Sequence, residues 1–417
     1  MPSNDYRDLV PELDNPRLVQ ARSLSFREFG KAVQAVPMLA EIIDGWNTRL
    51  DEPFHGLTCD GNCRHGHFRL RKEGTPVADA SRAAHRLLSA LEDQARQKLR
   101  FSIEAREWRA WSNPEFLIND LGLRLEEQSE PVRLLIMDLI SASLGPRGYS
   151  KAQGCMRTNA FLGEITQVQN IMNEWSYNFL LFGEPGDDTP WGWNLYGHHL
   201  CLNCFFLGDQ MVVSPVFMGA EPNVIDKGPY AGTVLFKTQE EVGLALMQSL
   251  DRDQRQRAGP FDSVKDERMA PGRYHPADGL HLGGAFQDNR VVPYEGIKVS
   301  DLATAQKDKI LEIAEAFHEV LPDGPRNAKL ADIESHLDET YWCWIGGIGP
   351  DDPFYYRIQS PITMLEFDHH PGVWLTNAEP AKCHIHTVIR TPNGNDYGRD
   401  LLRQHYRQTH PGKTPGR

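Results

Sequence analysis

The pattern of hydrophobic and polar positions changes character near Trp175. Before this residue, apolar side chains recur at helical spacing, most clearly over residues 79–99 and 131–145, which predicts amphipathic helices. After it, short runs rich in aromatic and branched residues are separated by clusters of Gly, Asp and Pro, which predicts strands. The remaining segments with helical periodicity are 26–46 (with a break or kink at Pro37), 157–175, 238–250, 303–321, 327–344 and 397–408.

The predicted strands form two blocks, with helices between them and no regular βαβ alternation. They are residues 177–183, 193–208, 210–219, 354–359, 362–370, 372–375 and 382–390. Residues 255–300 are rich in Gly and Pro and are predicted to be surface loops. This block pattern favours an α+β fold, with a largely antiparallel central sheet, helices packed around it and a helical N-terminal part. The helical N-terminal part is assigned to residues 1–175 and the strand-rich, metal-binding core to residues 176–410. The alternative is that both form one integrated domain.

The composition narrows the classes of partner. Hydrophobic residues make up 40% of the 417 residues and charged residues 24%, which is enough to build a core. The formal net charge of −13 argues against nucleic acid and anionic membranes, because both select a basic surface. The sequence has no run of 18 apolar residues and no recognisable signal peptide, so we expect a cytoplasmic protein. The oligomeric state is left open.

Histidines cluster in the predicted strands. Six of the sixteen form three close pairs, which are His198–His199, His369–His370 and His384–His386. The side chains of His384 and His386 share one face, because alternate residues of a strand point the same way. Neutral imidazole is a common ligand of zinc, copper and non-haem iron. We predict a metal site built from this pair and one member of each adjacent pair, with His199 favoured in the first and either member open in the second.

Lys382 falls on the same predicted strand face as His384 and His386. A protonated ammonium would be repelled by a metal ion, so three interpretations stay open. The side chain points to solvent, it lies neutral beside the ligands, or it reacts with CO2 to form a carbamate that binds the metal. Burial and a nearby cation favour the deprotonated amine that the last interpretation requires.

Two arginines and several aromatic residues flank the same strands. Arg357 and Arg390 either pair with Glu366 or Asp368, or hold a phenolate or carboxylate group of a substrate. The aromatic residues are interpreted either as core packing or as a flat pocket for a polycyclic substrate. They are Trp191, Trp193, Tyr196, Tyr355, Tyr356 and Trp374.

The motifs GHHLCLN, YYRIQSPITMLEFDHH and HIHTVIRTPNGNDYGRDLLRQHY carry a resemblance to a widespread family known only as a domain of unknown function. The resemblance runs from about Trp191 to Tyr406. Within that family, the chain is similar to a fungal non-haem iron dioxygenase that opens an anthraquinone ring. The resemblance implies Fe(II) held by four histidines and a carboxylated lysine, and Lys382 is the matching lysine here.

We therefore expect a mononuclear non-haem iron dioxygenase of secondary metabolite biosynthesis. It would use O2 to cleave a carbon–carbon bond in an aromatic, anthraquinone-like polyketide ring, with Lys382, Arg357 and Arg390 at the catalytic site. The first alternative is a metal-dependent hydrolase with a carboxylated lysine, in which Glu366 and Asp368 add ligands for a second metal. The second alternative is a non-catalytic metal- or ligand-binding protein.

Overall fold

The computed structural model describes residues 5–261 and 263–409, and it confirms the predicted α+β fold. Twelve α-helices occur within these residues, and most of them lie where the hydrophobic periodicity predicted a helix. They are α1 (Pro16–Ser23), α2 (Phe26–Gln34), α3 (Pro37–Asp51), α4 (Val77–Ala90), α5 (Asp93–Leu99), α6 (Glu130–Ser143), α7 (Pro146–Thr166), α8 (Lys237–Ser249), α9 (Arg252–Ala258), α10 (Thr304–His318), α11 (Asp323–Ser335) and α12 (Arg399–Thr409).

Eleven strands of the described residues form one mostly antiparallel sheet, and two more form a small ribbon. They are β1 (Arg100–Phe101), β2 (Leu123–Arg124), β3 (Tyr177–Gly183), β4 (Trp191–Gly197), β5 (Leu200–Leu207), β6 (Gln210–Ala220), β7 (Val224–Ile225), β8 (Thr233–Val234), β9 (Ile297–Lys298), β10 (Tyr341–Gly346), β11 (Phe354–Gln359), β12 (Met364–His370) and β13 (Ala381–Arg390). The large sheet has the order β1-β3-β4-β5-β6-β13-β12-β11-β10-β9, and β2 pairs with β3. The two sequence blocks meet where β6 pairs with β13.

Local chemistry explains where the N-terminal helices begin. Ser25 and Glu28 form a capping box at the start of α2, so the side chain of each accepts a hydrogen bond from the backbone of the other. The predicted break at Pro37 is confirmed, because this proline is the first residue of α3. Proline suits that position, since the first N–H of a helix has no partner within the helix.

Two of the segments that differ from their predicted state lie next to the C-terminal strands. The helix predicted over 327–344 ends at Ser335, and its aromatic end becomes β10, which pairs with β9 and β11. The strand predicted over 372–375 is absent from the described residues. Instead, the buried Glu221 carboxylate accepts the backbone N–H groups of Val373, Trp374 and Leu375. The backbone N–H groups of this segment are therefore satisfied by a side chain and not by a neighbouring strand.

The sheet has a hydrophobic cluster on each face. Residues on opposite faces of the central strands belong to different clusters, such as Ile385 to one and Val388 to the other. The second cluster includes residues of α1–α3, so these helices cover the face of the sheet to which Val388 and His386 point. Residues from both predicted parts contribute to both clusters, and the boundary at residue 175 stays a prediction. No helix among the described residues combines the length and apolar character needed to cross a bilayer.

Candidate metal centre

Three imidazoles from two distant segments converge on the covered face of the sheet. The Nε2 atoms of His199, His384 and His386 are separated by 3.0 Å (199–384), 3.2 Å (199–386) and 2.9 Å (384–386). All three side chains are buried. Two of the predicted histidine clusters therefore meet, and they do so through one nitrogen of each ring.

The first ligand candidate lies in a hairpin turn and not in the strand that the sequence predicted. Gly197 of β4 pairs with Leu200 of β5, so His198 and His199 are the two loop residues. His199 has φ 59°, a left-handed conformation that is uncommon for a residue with a side chain. The two imidazoles of this turn lie against each other, and only His199 brings its Nε2 atom to His384 and His386.

A glycine on the neighbouring strand makes room for the rings. Gly219 of β6 pairs with His386, and its N–H donates to the His199 carbonyl at 2.7 Å. A Cβ atom at this position would lie 2.9 Å from Cδ2 of both His199 and His386. The close approach of these two imidazoles therefore depends on the missing side chain.

The tautomer of His384 suits metal binding. Its Nδ1 lies 2.8 Å from the carbonyl oxygen of Pro371, which can only accept a hydrogen bond. The proton is therefore assigned to Nδ1, and the lone pair of Nε2 faces His199 and His386. A ligand imidazole that donates its other N–H to a backbone carbonyl is the usual arrangement in metal sites.

His370 lies beside this group but is not part of it, because its ligand atom is grouped with those of Asp368 and His386. Its ring centroid lies 4.3 Å from that of His386 and 5.1 Å from that of His384. Its Nδ1 lies 3.2 Å from Oδ2 of Asp368, a carboxylate that fixes the proton on Nδ1 and leaves Nε2 free. Asp368, His370 and His386 also form a second group whose ligand atoms lie within 4.8 Å of one another.

The electrostatics favour neutral imidazoles. Burial lowers the pKa of His199, His384 and His386 well below its usual value, and the neighbouring imidazoles lower it further. A neutral imidazole offers a lone pair to a metal without first losing a proton. The group is therefore ready to bind a cation at neutral pH.

The distances between the three Nε2 atoms can be compared with those expected between ligands of one metal ion. Ligands about 2.1 Å from a metal are separated by about 3.0 Å at an angle of about 90°, and by about 3.4 Å at a tetrahedral angle. Two of the observed separations, 2.9 and 3.0 Å, match the first value, and the third, 3.2 Å, lies midway between the two. All three nitrogens are therefore close enough together to bind one ion.

Lys382 does not join this group. Its Nζ lies 3.0 Å from Oε1 of Glu240 and donates to the carbonyl oxygen of Pro350 at 2.6 Å. Its side chain keeps 21% of its surface exposed, whereas the His384 side chain is fully buried. The ammonium is therefore paired with a carboxylate away from the three imidazoles.

An irregularity in β13 explains why the strand pattern misplaced this lysine. His369 pairs with Ile385, but the next residue, His370, pairs with Ala381, so residues 382–384 are extra on this side of the ladder. Such a bulge interrupts the alternation of side chains. Lys382 lies within the bulge and contacts Glu240, whereas His384, at the other end of the same bulge, still reaches His386.

The other members of the adjacent pairs have different partners. His198 Nδ1 lies 2.8 Å from Oδ1 of Asn159, its ring stacks on that of His199 at 3.9 Å, and burial lowers its pKa to about 3. His369 Nδ1 accepts the N–H of Phe354, and its Nε2 lies 3.2 Å from Oε1 of Glu240. Both nitrogens of His369 are thus engaged outside the metal group.

The two arginines form ion pairs, although with carboxylates other than Glu366 and Asp368. Arg357 Nη2 lies 3.0 Å from Glu295, and the fully buried Arg390 contacts Asp396 at 2.8 Å and Asp288 at 2.6 Å. Neither side chain lines the cavity beside the histidines. Their catalytic role stays a prediction, and the observed contacts are structural.

One buried histidine near the group was missed. His281 lies in the loop segment GLHLGG and is 1% exposed, with its ring 5.6 Å from that of His386. Neither of its ring nitrogens has a hydrogen-bond partner among the residues that the structure describes. A single histidine among glycines in a predicted loop carries no periodic signal, so the sequence pattern could not place it.

A cavity of about 490 Å³ opens beside the metal group. His198, His199, His370 and His386 contribute to its lining. The rest is largely apolar, and the main contributors are Phe29, Val33, Ile42, Ile43, Trp46 and Phe116. The aromatic residues that the sequence suggested as a pocket are almost all core residues, while the observed walls come from α2, α3 and the loop at residue 116.

Comparison with known proteins identifies the family. The model of a protein family of unknown function, DUF3500, matches residues 73–399. The chain belongs to this family. All the ligand candidates lie within the DUF3500 match, whereas α1–α3 precede it. No curated protein and no solved structure matches the chain.

Proposed function

We propose that this protein is a mononuclear non-haem iron dioxygenase that cleaves a carbon–carbon bond of an aromatic, anthraquinone-like ring with O2. The observation that carries the proposal is the convergence of three buried imidazole nitrogens, 2.9–3.2 Å apart, beside an apolar cavity. The similarity of the histidine motifs to a fungal ring-opening dioxygenase supplies the reaction class.

We assign His199, His384 and His386 as the residues that would hold the ion, and we propose His370 of the neighbouring group as an additional ligand. Fe(II), when bound, supplies the redox chemistry that O2 activation requires. Four neutral imidazoles suit a divalent ion of this kind, and Asp368 and the Pro371 carbonyl keep two of the rings in the correct tautomer.

The cavity supplies the rest of the function. Its volume of about 490 Å³ lies in the range of small-molecule sites, and its walls bind an apolar ring system by excluding water. The His370 ring forms part of the lining, so a substrate in the cavity would lie directly beside the ligands.

The carboxylated lysine that the resemblance implies is left out of the proposal. Lys382 pairs with Glu240 at 3.0 Å and lies in the bulge of β13. A carbamate at this position would bring a negative charge next to a carboxylate, which is unfavourable. We therefore propose histidine ligation alone.

A metal-dependent hydrolase is the second candidate. The group of Asp368, His370 and His386 adds a buried carboxylate within 4.8 Å of a shared ligand, as a two-metal site requires. This arrangement predicts two metal ions per chain, and the dioxygenase predicts one.

Metal analysis and O2 uptake separate these candidates. We expect one iron per chain after anaerobic loading, and O2 consumption with the reduced form of 1,8-dihydroxyanthraquinone, with both atoms of 18O2 in the ring-opened product. His370→Ala should lower iron binding, whereas the matched variant His369→Ala should retain it. Two zinc ions without O2 uptake would favour the hydrolase, and absence of any bound metal would contradict both enzymes.

A further inference from the structure

One wall of the cavity is built by helices that precede the DUF3500 match. Phe29 and Val33 of α2 and Ile42, Ile43 and Trp46 of α3 all line it. The family match begins at residue 73, so it covers the histidines and not this wall. The candidate ligands and this wall of the cavity therefore belong to different parts of the chain.

The wall is firmly attached to the rest of the molecule. The buried Arg109 donates to the backbone carbonyls of Arg49 and Glu52 at the end of α3, and it forms an ion pair with Asp288 at 2.8 Å. Near the end of α1, the Asn170 amide donates to the Ala21 carbonyl at 2.8 Å. Partly buried hydrogen bonds tie the ends of α1 and α3 to Asn170 and to Arg109, and a buried ion pair with Asp288 holds Arg109 itself in place.

The polar groups of this wall are few. Arg17 of α1 lies in the lining, where its guanidinium contacts the Val373 carbonyl and lies 3.4 Å from Oε1 of Glu115. The Glu115 side chain is 7% exposed and also lines the cavity. Glu115 lies outside α1–α3 and balances the charge of Arg17, and Gln20 of α1 is neutral, so this edge of the cavity is polar but has no net charge.

We propose that α1–α3 determine the substrate range of this site. They select a flat, uncharged ring system that packs on Phe29, Val33 and Ile42, with a hydroxyl or carbonyl group directed to Arg17 and Glu115. This inference rests on the proposed function, because it takes the cavity beside the histidines as the substrate site. An apolar wall with one balanced polar pair rejects charged molecules, since they would lose hydration without gaining a counter-ion.

The test measures ligand binding without metal or turnover. 1,8-Dihydroxyanthraquinone (three rings) and 1,5-dihydroxynaphthalene (two rings) are titrated into the metal-free protein, and binding is followed by tryptophan quenching. Val33→Trp fills the cavity and should weaken binding of the three-ring probe at least tenfold, with a smaller effect on the two-ring probe. The same substitution at Val19, which is 50% exposed and outside the lining, should change neither affinity.

A smaller substitution in the same wall tests the inference even if the tryptophan variant does not fold. Ile42→Ala should weaken binding of the three-ring probe several-fold, and Val19→Ala should not. Unchanged binding in folded Val33→Trp and Ile42→Ala would overturn the inference, as would a native protein that binds neither probe. A protein that binds the probes as expected but takes up no iron would contradict the proposed function and leave this inference standing.

Discussion

Gly219→Ala is the sharpest test of the metal centre, because the added methyl group meets two of the three imidazoles at once. The new Cβ atom would lie 2.9 Å from Cδ2 of His199, 2.9 Å from Cδ2 of His386 and 2.8 Å from the Ile385 carbonyl oxygen. Ordinary contacts begin at 3.4 Å, so each ring must retreat by about 0.5 Å. The carbonyl belongs to a paired strand and cannot easily move.

The expected magnitudes follow from this displacement. A methyl group forced into a packed site costs about 1–3 kcal/mol of folding free energy. Ligand sites tolerate errors of about 0.5 Å or less, so we expect iron affinity to fall by about 10- to 100-fold, or about 1.4–2.8 kcal/mol. The loss of metal affinity should exceed what the change in fold stability explains, since the rings themselves are displaced.

Anaerobic calorimetric titration with Fe(II) measures the affinity, and urea unfolding of the metal-free protein measures stability. Gly45→Ala is the matched control, because this exposed glycine of α3 has nothing within 4 Å of the added Cβ. It should keep the native iron affinity and raise stability by about 0.5–1 kcal/mol, as alanine generally does in a helix. Native iron affinity in a folded Gly219→Ala protein would refute the assignment of His199 and His386 as ligands of one ion.

Three further predictions concern other groups of the molecule. Lys382→Ala should retain iron and activity, because this side chain pairs with Glu240 near the surface. Loss of iron in this variant would instead indicate that Lys382, as a carbamate, is a metal ligand. Asp368→Asn should weaken iron binding by about 10- to 100-fold through loss of the carboxylate that orients His370, and an unchanged iron titration would exclude His370 as a ligand. Burial lowers the pKa of His318 to about 3, so the unfolded chain binds a proton that the folded chain does not once the pH falls below about 6.5. The stability associated with neutral His318 is fully present above pH 6.5 and is lost progressively as the pH falls towards 3. Between pH 7.5 and 5.5, the free energy of unfolding in urea should therefore fall by about 1 kcal/mol more in the native protein than in His318→Gln. An equal fall in both proteins would contradict the low pKa.

The hydrophobic pattern and the histidine pairs were sufficient for the fold class and the kind of site. Strands such as Phe354–Gln359 were located because their alternation and composition are local properties. The α+β arrangement followed from the order of the blocks. The proximity of two candidate ligands also followed from local sequence, since His384 and His386 are two residues apart and their Nε2 atoms lie 2.9 Å apart.

Only the tertiary structure decided which residues meet. Only His199 of the turn brings its Nε2 atom to His384 and His386, and Lys382 lies in a bulge of β13 where it contacts Glu240. Both features depend on how neighbouring strands pair, which a window of sequence does not contain. The cavity wall at Val33 lies more than 150 residues before His199, and the two come together because the packing of α1–α3 on the sheet is a long-range property of the folded chain.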